Sequence, residues 1–139
     1  MIYLLDMDHV SLDQRAHPQV SARIRLVGHA SIAVSMITVE EQLRGWLAVI
    51  RAAKTAQART TAYERLQRTI EYFASLSLLN YTIEADIRAT ELKHQGIRVG
   101  TQDMRIAAIA LTIGATVVTR NIRDFSQIPE LKIEDWAIT

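Results

Sequence analysis

Apolar and polar positions along this chain follow two rhythms. Short, nearly unbroken apolar runs recur at Ile2–Leu5, Ser31–Met36 (SIAVSM), Ser75–Tyr81 (SLSLLNY), Ala115–Thr119 (ATVVT) and Leu131–Ile133. Runs of that length read as strands, and Ile2, Tyr3, Leu4 and Leu5, with no polar break, read as one buried on both faces. Between the runs, apolar residues return at three- and four-residue spacing, the period of a helix with one buried face. Val39, Leu43, Trp46, Leu47 and Ile50 form one such face, and Tyr63, Leu66, Ile70 and Phe73 another, within a helix expected from Ala58 to about Ser75. Both faces are broad enough to be core.

Capping residues mark the helix ends. Asp8 or Ser11 suits the start of a first short helix, and Pro18 the first residue of a second that ends near Gly28. Thr38-Val39-Glu40-Glu41 has the form of a capping box. Thr82 is placed to cap a helix running to Gln95, with Gly96 as its left-handed terminator. Thr101 does the same for Gln102–Ile113, with Gly114 beyond it. Strands alternate with helices throughout, so the expected fold class is α/β. The expectation is one domain over residues 1–139, with a mostly parallel sheet of four to five strands and helices on both faces.

Composition narrows the function only slightly. Net charge is +1, so the chain as a whole is no general polyanion binder. Its basic residues are 13 Arg against 3 Lys, and the planar guanidinium suits bidentate contact with phosphate. An Arg- and Ala-rich codon bias explains that imbalance equally well. The absence of cysteine removes disulfides and thiolate metal sites. No apolar run approaches the ~18 residues of a membrane span. No basic segment precedes the first apolar run, so a cytoplasmic protein without a membrane role is expected.

The candidate chemistry lies in the acids. Ligands of parallel α/β sheets bind beyond the carboxyl ends of the strands. Asp6 and Asp8 end the first strand, Glu40 and Glu41 follow the second, Asp103 opens a helix, and Asn121 and Asp124 follow ATVVT. Each has an ordinary structural explanation: an N-cap, a first-turn carboxylate favoured by the helix dipole, or a pairing of Arg44 with either glutamate. Gathered at one edge, however, they repel one another and raise each other's pKa unless a cation stands among them. An all-oxygen donor set suits Mg²⁺ or Mn²⁺. The four histidines, His9, His17, His29 and His94, have no ligand spacing and are expected mostly at the surface. A rival reading takes Asp6-x-Asp8 as the nucleophile motif of a haloacid-dehalogenase-type phosphatase. Its lysine and its later acidic motif find no clear counterpart, since Lys54, Lys93 and Lys132 follow no strand end.

Four stretches together, IYLLDMDHVS, SMITVEEQLRG, GTQDMRIAAIAL and VVTRNIRDFSQIP, resemble the PIN-domain family. Within it they resemble the toxin half of VapBC-type toxin–antitoxin pairs. The resemblance implies a metal-dependent endoribonuclease with Mg²⁺ or Mn²⁺ held by Asp6, Glu41, Asp103 and Asp124, and with Asn121 as a polar neighbour. Glu40 is the alternative to Glu41. RNA phosphates would then meet Arg44, Arg105, Arg120 and Arg123, the arginines nearest the acids, which serve equally well as charge balance. A cognate antitoxin and a homodimer, or a higher oligomer with the antitoxin, are implied as partners. One departure stands at Met7-Asp8, where the family usually carries Thr-Asn or Ser-Asn. A member that has lost catalysis and only binds a partner or RNA is the alternative this departure raises.

Overall fold

A computed structural model of the chain describes residues 1–138. Strands β1 (Tyr3–Leu5), β2 (Ile32–Ser35), β3 (Ser77–Leu79), β4 (Thr116–Val118) and β5 (Lys132–Glu134) form one sheet. Their order is β3-β2-β1-β4-β5 and every neighbouring pair is parallel. The connections run through helices α1 (Met7–Gln14), α2 (Pro18–Val27), α3 (Met36–Ala52), α4 (Ala56–Ala74), α5 (Ile83–His94), α6 (Thr101–Ile113) and the short α7 (Ile122–Phe125). The expected α/β architecture, with a parallel sheet and helices on both faces, is the one observed.

Successive strand residues point to opposite faces, and this divides the core in two. Leu4 lies in register with Ala33 and Val117, and these face Ala85, Ala89 and Leu92 of α5 and Ile106, Ala107 and Ala110 of α6. Leu5 lies in register with Val34 and Val118, and these face Val10 and Leu12 of α1, Val20 and Ile24 of α2, and Trp136. The central strands are therefore buried on both faces and apolar at all but Ser35 and Thr116, which is why they read as nearly unbroken runs.

Several boundaries differ from the sequence expectation, each for a local reason. Asp6, rather than Asp8 or Ser11, caps α1, its carboxylate accepting the Met7 N–H at 2.8 Å. Ser35 caps α3, its hydroxyl accepting the Thr38 N–H at 3.2 Å, so the second strand stops there and Thr38 lies inside the first turn. α6 begins at Thr101 with Gly100 at its cap and no side-chain cap bond. Helix α4 starts two residues earlier than expected because Thr55 accepts the Ala58 N–H at 3.0 Å. The last strand is shifted by one residue to Lys132–Glu134. The Thr82 cap and the positive φ of Gly96 and Gly114 follow the sequence.

The helix faces of Trp46 and Tyr63, expected in the core, stand largely outside it. Val39 and Phe73 are buried, but Leu47 is 54 % and Tyr63 58 % exposed, and Val49 and Ile70 are similarly open. The reason is length. Helices of 17 and 19 residues extend roughly 26 and 28 Å. Strands of three or four residues extend only about 10–13 Å. Beyond the sheet, α3 and α4 pack mainly on each other. Among the described residues, no helix is long and apolar enough to cross a membrane.

Candidate active site

Strands run in one direction, so helices that return between them start at the same edge at which the strands end. That edge brings the N-termini of α1, α3, α6 and α7 next to the carboxyl ends of β1, β2 and β4. The strand order reverses direction between β1 and β4, which makes their shared end the expected crevice of such a sheet.

Asp6 lies at the centre of this crevice. Its backbone N–H continues the ladder to the Val118 carbonyl at 2.9 Å. Its carboxylate accepts the Met7 N–H at 2.8 Å on one oxygen and the Thr119 hydroxyl at 2.9 Å on the other. The residue is 7 % exposed. Burial is the main cause that raises its pKa to about 6, and the charges of Asp8 and Asp103 add to it against those two hydrogen bonds.

Asp103, in the first turn of α6, is half-buried and also raised, first by burial and then by the charge of Asp124. The Asn121 side-chain amide donates to Asp103 at 3.3 Å and to Asp124 at 3.0 Å, so one residue holds two carboxylates side by side. Glu41 is half-buried and raised by burial, with Asp103 the next cause. Glu40 is more exposed, and its carboxylate is already taken up by Arg44 at 2.7 Å and Gln102 at 3.2 Å. Of the two candidates on α3, the structure turns Glu41 toward the other acids.

Asp6, Glu41, Asp103 and Asp124 thus share one electrostatic field, with Asp103 the residue linked to all three others. Among the described residues, no three His, Asp or Glu side chains already stand in metal-holding geometry. The donor chemistry nevertheless fits a hard divalent cation: every donor is oxygen, and the repulsion that raises these pKa values is what a cation relieves.

The arginines divide. Arg44 is tied to Glu40, and Arg105 bonds Gln102 at 3.2 Å and stacks over Tyr81 at 5.6 Å. Arg120 is exposed, and Arg123 is exposed with its Nε 3.9 Å from Asp124. A feature the sequence did not signal is a groove of about 820 Å³ between α1, α3 and α4, opening beside Glu41. Arg15, Arg65 and Arg68 line it with Trp46 and Tyr72. Thr119 is a second such feature, since a threonine ending a β-branched run carries no signal of its own. Of the histidines, His29 and His94 are exposed as expected, whereas His9 is fully buried.

The parallel α/β fold thus gathers carboxylates, whose donors are all oxygen, at its topological switch. The chain belongs to the PIN-domain family, whose PIN domain matches residues 7–131. It is 28% identical over 144 residues to Ribonuclease VapC2 of Rickettsia felis, with 98% of each chain covered. It is 34% identical over 112 residues to Ribonuclease VapC2 of Haemophilus influenzae, covering 76% of this chain and 75% of that one. Among solved structures, the DNA-bound VapBC of Salmonella typhimurium superposes with a TM-score of 0.78 at 29% identity, covering 98% of both chains. With the family established, the phosphatase reading of Asp6-x-Asp8 lapses.

Proposed function

We propose that this chain is a VapC-type endoribonuclease, the toxin of a toxin–antitoxin pair, and that its 139 residues form one nuclease domain. The observation that carries the reading is the chain of hydrogen bonds that gathers three acids at the sheet's switch point, from Asp6 through Thr119 and Asn121 to Asp103 and Asp124. The ribonuclease names of its relatives support the substrate class.

Asp6, Glu41, Asp103 and Asp124 would hold Mg²⁺ or Mn²⁺. Such an ion supplies an acidified water and neutralises charge on a scissile phosphate. The protein's own part is positional. Met7 and Thr119 fix both oxygens of Asp6, and Asn121 keeps Asp103 beside Asp124. Arg15, Arg65 and Arg68 offer an RNA backbone a cationic groove reaching Glu41, and the exposed Arg120 and Arg123 adjoin Asn121 and Asp124. In that groove the Arg65 guanidinium stands over the Trp46 ring, 5.8 Å from its centroid, and the pair gives a base a cationic and aromatic platform. The exposed apolar residues Leu47, Val49, Tyr63 and Ile70 on the α3–α4 hairpin suit an antitoxin helix or a second copy of the chain.

The test is cleavage of RNA by the purified chain with Mg²⁺ or Mn²⁺, and its loss on chelation. Asp6→Asn and Asp103→Asn are expected to abolish cleavage while keeping the fold. Full cleavage by either variant sinks the assignment. Expression alone should slow growth, and an antitoxin encoded by an adjacent short reading frame should relieve it.

A further inference from the structure

Asp8 stands where the resemblance leads one to expect an asparagine, and the structure shows where its charge goes. One carboxylate oxygen lies 2.6 Å from His9 Nδ1, and the other accepts the Arg120 backbone N–H at 3.1 Å. His9 is fully buried, and its Nε2 accepts the Trp136 backbone N–H at 3.1 Å. Since Trp136 N–H can only donate, Nε2 must offer its lone pair and Nδ1 must carry the ring proton. That proton points at Asp8. The second neighbour of Nε2, Asp135 Oδ1 at 3.5 Å, already accepts the Ala137 N–H at 2.8 Å. The donors and acceptors therefore run in one sense: Trp136 N–H to His9, His9 to Asp8, and Arg120 N–H to the far side of Asp8.

We infer that Asp8 and His9 act as a matched pair of positioning residues, clamping Arg120 and Asn121, the turn that leads into α7, to α1 and to the segment after β5. The clamp holds Asn121, and through it Asp103 and Asp124, at the carboxylate cluster. The pairing is chemically specific. An asparagine at position 8 offers one acceptor where two donors arrive. If its oxygen meets Arg120, its NH₂ faces His9 and drives the ring proton to Nε2, against Trp136 N–H. If its oxygen meets His9, its NH₂ faces Arg120 N–H. The first arrangement sets donor against donor at the fully buried His9 ring, which is costly, and the second sets it at the solvent edge beside Arg120 and forfeits the bond to the loop. With an apolar residue at position 9, asparagine bonds Arg120 without that conflict. The acid at 8 and the histidine at 9 are thus required by each other.

This inference rests on the metal-site reading for its consequence but not for its chemistry, and two measurements separate them. Two-bond ¹H–¹⁵N correlation spectra of the full chain, without divalent ions, should show His9 protonated on Nδ1 and bare on Nε2. A ring protonated on Nε2, alone or together with Nδ1, overturns the clamp whatever the enzyme does. Next, Mn²⁺ alone is titrated into wild type, Asp8→Asn and Asp8→Asn/His9→Leu, with amide exchange followed at Arg120 and Trp136. Asp8→Asn should lose about tenfold in protection at one of these amides and should weaken Mn²⁺ binding. The double variant has the same charge as the single. It should recover protection at Arg120 and bind Mn²⁺ about threefold or more tighter than Asp8→Asn. Equal Mn²⁺ affinity in the two would mean that Asp8 acts by charge alone, and the positioning role falls. Should the wild type bind no Mn²⁺ while the ring data hold, the metal-site reading fails and the clamp stands as a structural device only.

Discussion

Thr119 donates its hydroxyl to Asp6 across 2.9 Å, joining residues 113 positions apart at the adjacent ends of β4 and β1. The same hydroxyl oxygen accepts the Asn121 N–H at 2.9 Å, so it links the central acid to the loop that holds two more. This hydrogen bond is one of two that oppose the rise in the Asp6 pKa.

Thr119→Val should therefore push Asp6 above about 6. The acid limb of the cleavage rate would move to higher pH, with Thr119→Ser restoring the wild-type profile. A pH–rate profile for the three proteins checks this. Identical acid limbs would mean that Asp6 ionisation does not govern the reaction.

Asp6 itself should destabilise the metal-free fold at neutral pH. Its folded pKa is raised from 3.8 to about 6. On raising pH through that window the unfolded chain loses this proton first, so the native state binds more protons and stability falls. The contribution is complete below about pH 4 and lost above about pH 6, and ionised Asp6 costs of order 3 kcal/mol at neutral pH. Asp6→Asn should then melt higher than wild type near neutral pH, and the difference should shrink toward pH 4. Mn²⁺ should raise the wild-type Tm and leave that of Asp6→Asn nearly unmoved. Thermal melts over pH, with and without the ion, measure both.

The two adjacent glutamates of α3 should behave oppositely. Glu40→Gln breaks an exposed pair with Arg44, and such pairs contribute about 0–1 kcal/mol, so cleavage and stability should hardly change. Glu41→Gln removes a carboxylate whose pKa burial, and then Asp103, raise, and cleavage should fall by about a hundredfold or more. Initial rates on one RNA substrate distinguish them. Equal losses in both would undo the assignment of Glu41.

The contact between α1 and α4 should be a matter of stability. Tyr72 donates its phenol to Asp13 at 2.7 Å, and burial, reinforced by that acid, drives the phenol pKa upward. Tyr72→Phe should cost about 1–2 kcal/mol in urea unfolding while cleavage per folded molecule is retained. A loss of cleavage without loss of stability would place Tyr72 in the RNA path instead.

Patterning along the chain determined the α/β class, the order of elements and most helix ends, because these depend on local periods and on caps within a few residues. It also separated β1 from a surface strand, since Tyr3–Leu5 must be apolar on both faces to fit between two layers of helices. The residues that converge were identifiable from their places at strand and helix ends. Which of Glu40 and Glu41 turns inward was not, because the choice depends on where Gln102 and Arg44 lie across the fold. Nor did periodicity reveal how far α3 and α4 outrun the sheet, since an apolar stripe looks the same whether it is covered or open. Tertiary structure alone gave Asp8 its role. A carboxylate next to a histidine in sequence reads as a loop, and only the approach of Trp136 and Arg120, more than a hundred residues later, makes it a clamp. Local periods propagate along a chain, whereas the partner of a buried polar atom is set by whatever the rest of the molecule brings to it.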